Sequence, residues 1–456
     1  MQDLTTGSLT AHLLKTTSFM LVTMLFQTLY VLVDLYWVGR LGTEAVAAVA
    51  ISGNLMFVVL AATQMLAVGT TTLVAHAVGR RDREHATVVF NQAQVLSTLV
   101  GVLFLGLTMA TRMPYARAMS ADPVTMQLAA DYLSWMIPAM ALQFALIAMG
   151  AGLRGTGNFR PGMVVQTFTV ILNTILAPFL IFGWGTGIAM GVVGAAVATF
   201  AAILVGIVWM TWYFVPADSY LKFRPHEWRP DFRLWGDMLK IGLPSGAEFA
   251  LMSVYLVIVY AVTRPFGAAA QAGFGIGMRI IQAGFLPVVA LGFAVGPVAG
   301  QNFGARKADR VRQTFRDAAL LAAGVMLVLS TGIWIFAEAL VRVFSSDPEV
   351  IAVGEDYLHI VALTFVASGV VFVSSSMFQA MGNTIPSLIS SAARIVIIAV
   401  PVLALAGTPG FELRWIWLIS ASAVVVQLAM NLLLLRREFK LRLAFHPVAA
   451  SVQTSA

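Results

Sequence analysis

The chain has 456 residues, of which 59% are hydrophobic and only 11% are charged, with a formal net charge of +7. Ordinary soluble domains do not use so large an apolar fraction, so the composition excludes a soluble enzyme and indicates a polytopic membrane protein. There are no cysteines, which excludes disulfides, thiolate metal sites and cysteine nucleophiles.

Twelve apolar segments are long enough to cross a bilayer, which needs about 20 residues per helix. They lie near residues 13–39, 46–78, 88–112, 124–151, 160–183, 186–215, 237–263, 268–303, 313–343, 349–379, 385–407 and 411–436. The sequence therefore predicts an all-α polytopic membrane protein with twelve transmembrane helices.

The first span carries a polar stripe on an otherwise apolar helix. Thr23, Gln27, Tyr30, Asp34 and Trp37 recur at intervals of four, three, four and three, which places them on one helical face. A carboxylate in a spanning helix is costly unless it lines a cavity or meets a partner, so Asp34 is a functional candidate. At ~1.5 Å per residue it lies roughly 8 Å from the outer end of the helix, where a proton could reach it from outside.

The basic residues alternate between loops. Of the 28 Lys and Arg residues, six fall in the predicted outer loops, two fall within spans, and the rest lie on one side. By the positive-inside rule that side is the cytoplasm, so both termini are expected there, in a multi-pass protein of the cell (inner) membrane. The positive charge then reflects topology, and no nucleic-acid partner is expected.

The two halves of the chain repeat at an offset of 225 residues. Matched positions include Gly42 and Gly267, Gly79 and Gly304, Asp122 and Asp347, and Gly157 and Gly382. Each copy holds six spans, so both copies enter the membrane from the same side as a parallel repeat. This predicts two pseudo-symmetric six-helix bundles, a geometry suited to alternating access.

The repeat also predicts the domain division. We expect an N-terminal bundle over residues 1–215, a cytoplasmic linker over 216–240, a C-terminal bundle over 241–440 and a cytoplasmic tail over 441–456. The linker is the longest polar stretch and is rich in Pro, Arg and Asp.

The seventh span holds the only other acid well inside a predicted helix. Four residues share one face there at intervals of three, four and three: Ser245, Glu248, Met252 and Tyr255. Glu248 is either a second ionisable element or a carboxylate paired with Lys240 or Arg394. Arg394 and Arg279, which stands at the repeat position of Asn54, are expected to be structural braces because buried guanidinium groups need acceptors.

Four segments resemble the multidrug and toxic compound extrusion (MATE) transporters, and the likeness covers essentially the whole chain. They are Gly69–Arg80 at the end of the second span, Leu153–Asn158, Leu286–Lys307 at the end of the eighth span, and Phe378–Pro386. The resemblance implies a twelve-helix exporter, not an enzyme, that expels small amphipathic, often cationic compounds in exchange for inward H⁺ or Na⁺. No other cofactor is expected, and we expect a monomer in the lipid bilayer.

Within this family the chain looks more like the DinF-type branch, in which an Asp of helix 1 and polar partners of helix 5 form the coupling site. That resemblance implies proton coupling at Asp34, Gln27, Asn173 and Tyr30, with Na⁺ at Asp34 as the alternative. Where that branch often has a second Asp, this chain has Ala177. The residues expected to bind substrate are Asp34, Trp37, Asn54, Thr199, Glu248, Met252 and Tyr255.

Other functions predict different sequence features. A flippase for a lipid-linked intermediate, in the same superfamily, would favour a lateral groove lined with basic residues. An intramembrane hydrolase would need a nucleophile and a base on facing helices, and no such pattern is visible. The sequence has no HExxH metal motif and no GxxxxGK[ST] loop, so ATP is not expected to supply the energy.

Overall fold

The computed structural model describes residues 2–185, 187–216 and 219–445. The α-helices in these residues are α1 (Leu9–Gly39), α2 (Thr43–Gly79), α3 (Arg83–Ala110), α4 (Arg112–Met119), α5 (Pro123–Gly155), α6 (Arg160–Phe182), α7 (Gly191–Tyr213), α8 (Phe232–Thr263), α9 (Ala268–Gly304), α10 (Ala308–Ile335), α11 (Ala337–Arg342), α12 (Pro348–Ala362), α13 (Phe365–Ala380), α14 (Ile385–Leu405) and α15 (Leu413–Arg442).

Eleven of the described helices are long and apolar enough to cross a membrane, and the bent pair α12 and α13 forms one further span. Short connections and the small helices α4 and α11 separate most of the spans, and a longer connection that contains a 3-10 helix over Pro225–Trp228 separates α7 from α8. The predicted all-α polytopic fold with twelve spans is therefore confirmed.

The tenth span differs from its prediction as one continuous helix over 349–379. It breaks between α12 and α13, whose axes differ by 57°. Hydroxyl groups donate to carbonyls at the break: Ser330 Oγ donates to Ala362 O at 2.5 Å, and Thr364 Oγ1 donates to Val361 O at 3.0 Å, where the Thr364 N–H donates as well. Such bonds make a broken helix tolerable inside a membrane. The break falls at residue 363, the repeat position of Pro138 in α5.

The sequence repeat is also a repeat of helix boundaries. The helices α2 and α9 begin and end 225 residues apart, and so do α3 and α10. The turns that follow α2 and α9 both place a non-glycine residue at positive φ, Arg81 at 61° and Arg306 at 57°. Matched sequences thus build matched turns, as two copies of one bundle require.

Each half of the chain has its own apolar core, but the first helix of each half crosses to the other. Leu9 and Leu13 of α1 pack in the C-terminal core. Their repeat partners in α8, Leu234 and Met238, pack in the N-terminal core. The helix α8 begins inside the predicted 216–240 linker. The division into domains itself stays a prediction.

The two halves meet at one end of the molecule, which we call the basic end. Its basic residues include Arg80, Arg83, Arg306, Lys307 and Arg310. Among the described residues, every hydrogen bond that joins residues 2–215 to residues 241–445 lies at this end. The structure is therefore closed at the basic end.

Candidate functional site

Asp34 lies in α1 beside a hydrogen-bond network that joins three helices. Tyr30 Oη and Thr199 Oγ1 are 3.0 Å apart, and Asn173 Nδ2 donates to the same Thr199 Oγ1 at 3.0 Å. Asn173 in α6 and Thr199 in α7 are buried. Asp34 follows Tyr30 by one helical turn, and its Oδ1 is buried with no hydrogen-bond partner among the described residues. This leaves a carboxylate oxygen available to a proton or a cation.

No positively charged side chain among the described residues pairs with this carboxylate. Tyr30 and Tyr132 are close enough to interact electrostatically with Asp34. No Lys, Arg or His in the described part of the chain forms an ion pair with it. A charge at this depth must therefore be balanced by a proton, a metal ion or a ligand.

An aromatic cluster surrounds Trp37, which follows Asp34 by one helical turn on the side away from the basic end. The ring centroids of Trp37 and Phe182 are 6.0 Å apart, and those of Trp37 and Trp184 are 5.7 Å apart. The Arg40 guanidinium lies 5.4 Å from the Trp37 ring centroid. Trp37 thus packs in an aromatic cluster next to Asp34. In α6 the side chain of Ala177 is buried, where the DinF-type pattern often has a second Asp.

A cavity of about 290 Å³ lies between the two halves, on the basic-end side of Asp34. Thr23 and Gln27 of α1 line it from one half, and Phe249 of α8 and Phe293 of α9 line it from the other. Gln27 makes no hydrogen bond to the network of Tyr30, Thr199 and Asn173. The structure therefore places Gln27 in the cavity wall, although the resemblance had grouped it with the coupling residues.

Asp34 does not line the cavity, and neither does any other acid of the described chain. Trp37 and Thr199 lie outside its wall as well. Four further residues expected to bind substrate also lie outside it: Asn54, Glu248, Met252 and Tyr255. The polar stripe of α1 thus divides into a cavity part near the basic end and a carboxylate part farther along.

In the C-terminal half, Glu248 has a buried Oε1 with no hydrogen-bond partner among the described residues. Ser387 of α14 lies beside its carboxylate. Neither Lys240 nor Arg394 forms an ion pair with it in the described structure. Glu248 is therefore a second carboxylate of the membrane part that has no ion-pair partner among the described residues.

Arg394 has two neighbours in the C-terminal half, while its buried Nε has no hydrogen-bond partner among the described residues. Its Nη1 lies 3.5 Å from Gln427 Oε1, and its guanidinium lies 5.6 Å from the ring centroid of buried Tyr255. Met252, predicted on the same face as Tyr255, is 40% exposed. The face predicted for the seventh span is therefore divided between a buried packing position and an exposed one.

The basic end is closed by two crossed contacts that follow the repeat. Gln301 Nε2 donates to Gly155 O at 3.0 Å, and His76 Nε2 lies 2.7 Å from Ala380 O. Residues 76 and 301 are repeat partners, and so are residues 155 and 380. The same geometry thus occurs twice about a pseudo-two-fold axis, and it separates the cavity from the basic end.

Glycines let the two backbones approach at this closure. A Cβ on Gly79 would contact Gln301 O, and a Cβ on its repeat partner Gly304 would contact His76 O. Both obstacles are backbone atoms, which cannot move aside by a rotamer change. Any larger residue therefore forces the two halves apart at the basic end.

The segment before α1 ties both halves together. Gln2 N donates to Thr156 O at 3.0 Å in the N-terminal half, and Leu4 N donates to Gln301 Oε1 at 3.0 Å in the C-terminal half. Leu4 has no exposed surface and belongs to the C-terminal core. Sequence reasoning missed this contact because nothing local in the segment marks it.

Sequence reasoning also missed Arg154, which lines the cavity. The fourth span was predicted to end at residue 151, which assigned Arg154 to a basic loop. The structure continues α5 to Gly155, so the side chain belongs to the last turn of a spanning helix. The available signal was an arginine set among Gly150, Gly152 and Gly155, where small neighbours let another element approach.

The chain is similar in sequence and in fold to known proteins. The MatE family profile matches residues 20–179 and 244–405. A relative named FAD transporter from Shewanella oneidensis is 25% identical over 378 residues, covering 82% of this chain and 83% of the relative. The probable multidrug resistance protein YpnP of Bacillus subtilis is 26% identical over 391 residues, covering 85% of this chain and 86% of the relative.

A solved structure described as the outward-facing conformation of a multidrug resistance MATE family transporter superposes with a TM-score of 0.89. It is 26% identical and covers 97% of this chain and 98% of its own. Because the profile matches both halves of the repeat and the fold agrees over nearly the full length, the chain belongs to the MatE family, whose named relatives are transporters and not enzymes.

Proposed function

We propose that this protein is a secondary active exporter of small amphipathic compounds that works by cation antiport, with Asp34 as the coupling residue and H⁺ as the ion. The observation that supports this most is the buried Asp34 Oδ1, which has no partner among the described residues. A carboxylate in a spanning helix that is neither paired nor neutralised is suited to load and release a proton.

Coupling through α1 follows from the position of Asp34. The helix that carries it also supplies Thr23 and Gln27 to the cavity wall. Protonation that changes how α1 packs on α6 and α7 would therefore also change the cavity. The ion and the substrate need not compete for one side chain, because one helix connects their sites.

The driving force is the ion gradient across the membrane. With the basic end in the cytoplasm, the closed basic end leaves Asp34 to be loaded from outside. A potential of 100 mV contributes about 2.3 kcal/mol per charge moved, which is enough to bias a two-state cycle. The orientation rests on the positive-inside rule and is part of the proposal.

Two alternatives make different predictions. A Na⁺-coupled exporter would use the same carboxylate as an ion ligand. A flippase for a lipid-linked intermediate would move an amphipathic lipid along a lateral groove without strict ion exchange. The relatives' names leave the cargo open between drug-like compounds and a dinucleotide.

Transport by purified protein in liposomes separates these possibilities. Uptake of a cationic dye, rhodamine 6G, and of an anionic dye, fluorescein, is measured under an imposed pH gradient and, separately, an imposed Na⁺ gradient. We expect the pH gradient alone to drive accumulation of at least one dye, Asp34→Asn to abolish it, and Glu248→Gln to preserve it. Accumulation driven only by Na⁺ would contradict proton coupling, and no accumulation under either gradient would contradict secondary transport.

A further inference from the structure

Arg154 presents an unpaired guanidinium to the cavity. Its side chain is partly buried in the last turn of α5. No side chain or backbone group in the described ranges accepts a hydrogen bond from it or forms an ion pair with it. Arginine carries five N–H donors, has no acceptor and does not lose its proton in proteins. A positive charge that faces a cavity in this way needs an acceptor from the cavity's contents.

No other side chain in the cavity wall carries a negative charge that could pair with Arg154. None of the lining residues is Asp or Glu. The wall carries three glutamine side chains that make no hydrogen bond to described residues, namely Gln27, Gln64 and Gln166. The cavity is therefore positively charged, and a cationic head group would meet Arg154 with no counter-charge beside it.

Apart from the uncharged polar residues Thr23, Thr63 and Asn158, the remaining wall is apolar. Methionines such as Met20 and Met163 line it from the N-terminal half, and phenylalanines line it from both halves, with Phe249 and Phe293 on the C-terminal side. Methionine adapts to ligands of varied shape, and aromatic rings pack well on flat ring systems. The wall thus fits an apolar, ring-containing body, with one charged corner at Arg154.

The other two arginines inside spans do not share this arrangement. Arg279 is exposed on α9 and does not line the cavity. Arg394 contacts Gln427 and the ring of Tyr255. Among these three, only the Arg154 guanidinium both faces the cavity and lacks a protein acceptor.

We propose that Arg154 recognises an anionic group, a carboxylate or a phosphate, on the compound that occupies the cavity. The inference deepens the proposed export function, on which it rests, by assigning its substrates to amphipathic anions. It also departs from the cationic substrates that the family resemblance implies. Arginine suits either anion because its planar fork can donate two parallel hydrogen bonds.

Binding to purified protein in nanodiscs tests this with matched probes. Riboflavin and flavin mononucleotide differ by one phosphate, and rhodamine 6G and fluorescein are xanthenes of opposite charge. Fluorescence titrations are run on the wild type, Arg154→Gln and Arg154→Lys. The matched control is Arg279→Gln, which removes an in-span arginine outside the cavity.

We expect wild-type protein to bind flavin mononucleotide or fluorescein at least about tenfold more tightly than its partner probe, and Arg154→Gln to remove that preference. Arg154→Lys should retain part of it, because the charge remains and the fork is lost. Arg279→Gln should match the wild type. The flavin pair tests a phosphate and the xanthene pair tests a carboxylate, so comparing the two preferences shows which anion the protein binds better.

Two results would overturn the proposal. One is a wild-type protein that binds both members of each pair equally or prefers the uncharged or cationic member, and this result does not depend on whether any variant folds. The other is an Arg154→Gln protein that keeps the anion preference. Binding needs no ion gradient, so a failure here is distinct from a failure of coupled transport.

Discussion

Replacing Gly79 by alanine should shift the protein away from the state that is closed at the basic end. The added Cβ would contact Gln301 O and would lie 2.9 Å from Ala305 N, and both atoms belong to the backbone of the opposite half. Neither atom can rotate away, so the halves must separate there. The same argument applies to Gly304 against the His76 backbone.

The size of the effect follows from the cost of overpacking, about 1–3 kcal/mol per inserted methyl group in a tight contact. Only the state closed at the basic end has this unfavourable contact, so the full free-energy cost shifts the equilibrium toward the state that is open there. A shift of about 2 kcal/mol multiplies the open-to-closed ratio roughly 30-fold. A minor state populated at about 1% would rise to about a quarter of the molecules.

Pulsed electron spin resonance distances measure this shift directly. The chain contains no cysteine, so pairs of spin labels can be introduced without removing native thiols. One pair, at Glu84 and Asp309, reports on the basic end, and the other, at Thr43 and Ala268, reports on the opposite end. All four residues are exposed repeat partners.

The matched control is Gly53→Ala in the same helix, where a Cβ meets nothing within 4 Å. This control variant gains the same helix propensity as Gly79→Ala, about 1 kcal/mol for replacing glycine by alanine, but it creates no steric clash. We expect Gly79→Ala to add a longer-distance population at the basic end and a shorter one at the opposite end, and Gly53→Ala to match the wild type. If Gly79→Ala left both distributions unchanged, the closure would not be set by these backbone contacts.

Two further predictions concern the N-terminal segment and the topology. Leu4→Ala should lower the unfolding temperature in detergent and broaden the basic-end distance, because truncating a fully buried leucine in a packed core costs about 2–5 kcal/mol. The control Leu14→Ala, at a position 54% exposed, should change little. Equal behaviour of the two variants would show that the N-terminal segment is not part of the closure. Reporter fusions should give cytoplasmic signals after Arg83, Glu227 and Arg310 and external signals after Arg117 and Phe344. Reversed signals at Arg83 and Arg117 would overturn the orientation and the direction of transport.

The sequence predicts the fold better than the site because apolar spans and a long repeat are local or periodic signals. The offset of 225 residues anticipates matched helices and even the paired turns at Arg81 and Arg306. The resemblance groups Asn173 with Tyr30, and in the structure both side chains contact the hydroxyl of Thr199, which had been expected to bind substrate.

Features that depend on the packing of distant elements could not be predicted in this way. Gln27 shares a helical face with Asp34, but the shape of the neighbouring helices places it in the cavity wall. The sequence places Arg154 in a loop after the predicted span, whereas in the structure α5 continues to Gly155 and includes it. The contact of Leu4 with the opposite half arises only once both bundles are assembled.

The central claim, that Asp34 couples ion movement to export, is tested most directly by proton flux in liposomes that contain a pH-sensitive dye. A gradient of a transported compound is imposed with no initial pH difference, and the opposing proton flux is recorded for the wild type, Asp34→Asn and Glu248→Gln. We predict a flux for the wild type and for Glu248→Gln, and none for Asp34→Asn even though it still binds the compound. If Asp34→Asn gave the same proton flux as the wild type, or if only Glu248→Gln lost the flux, the account would be contradicted and coupling would be assigned to the C-terminal half.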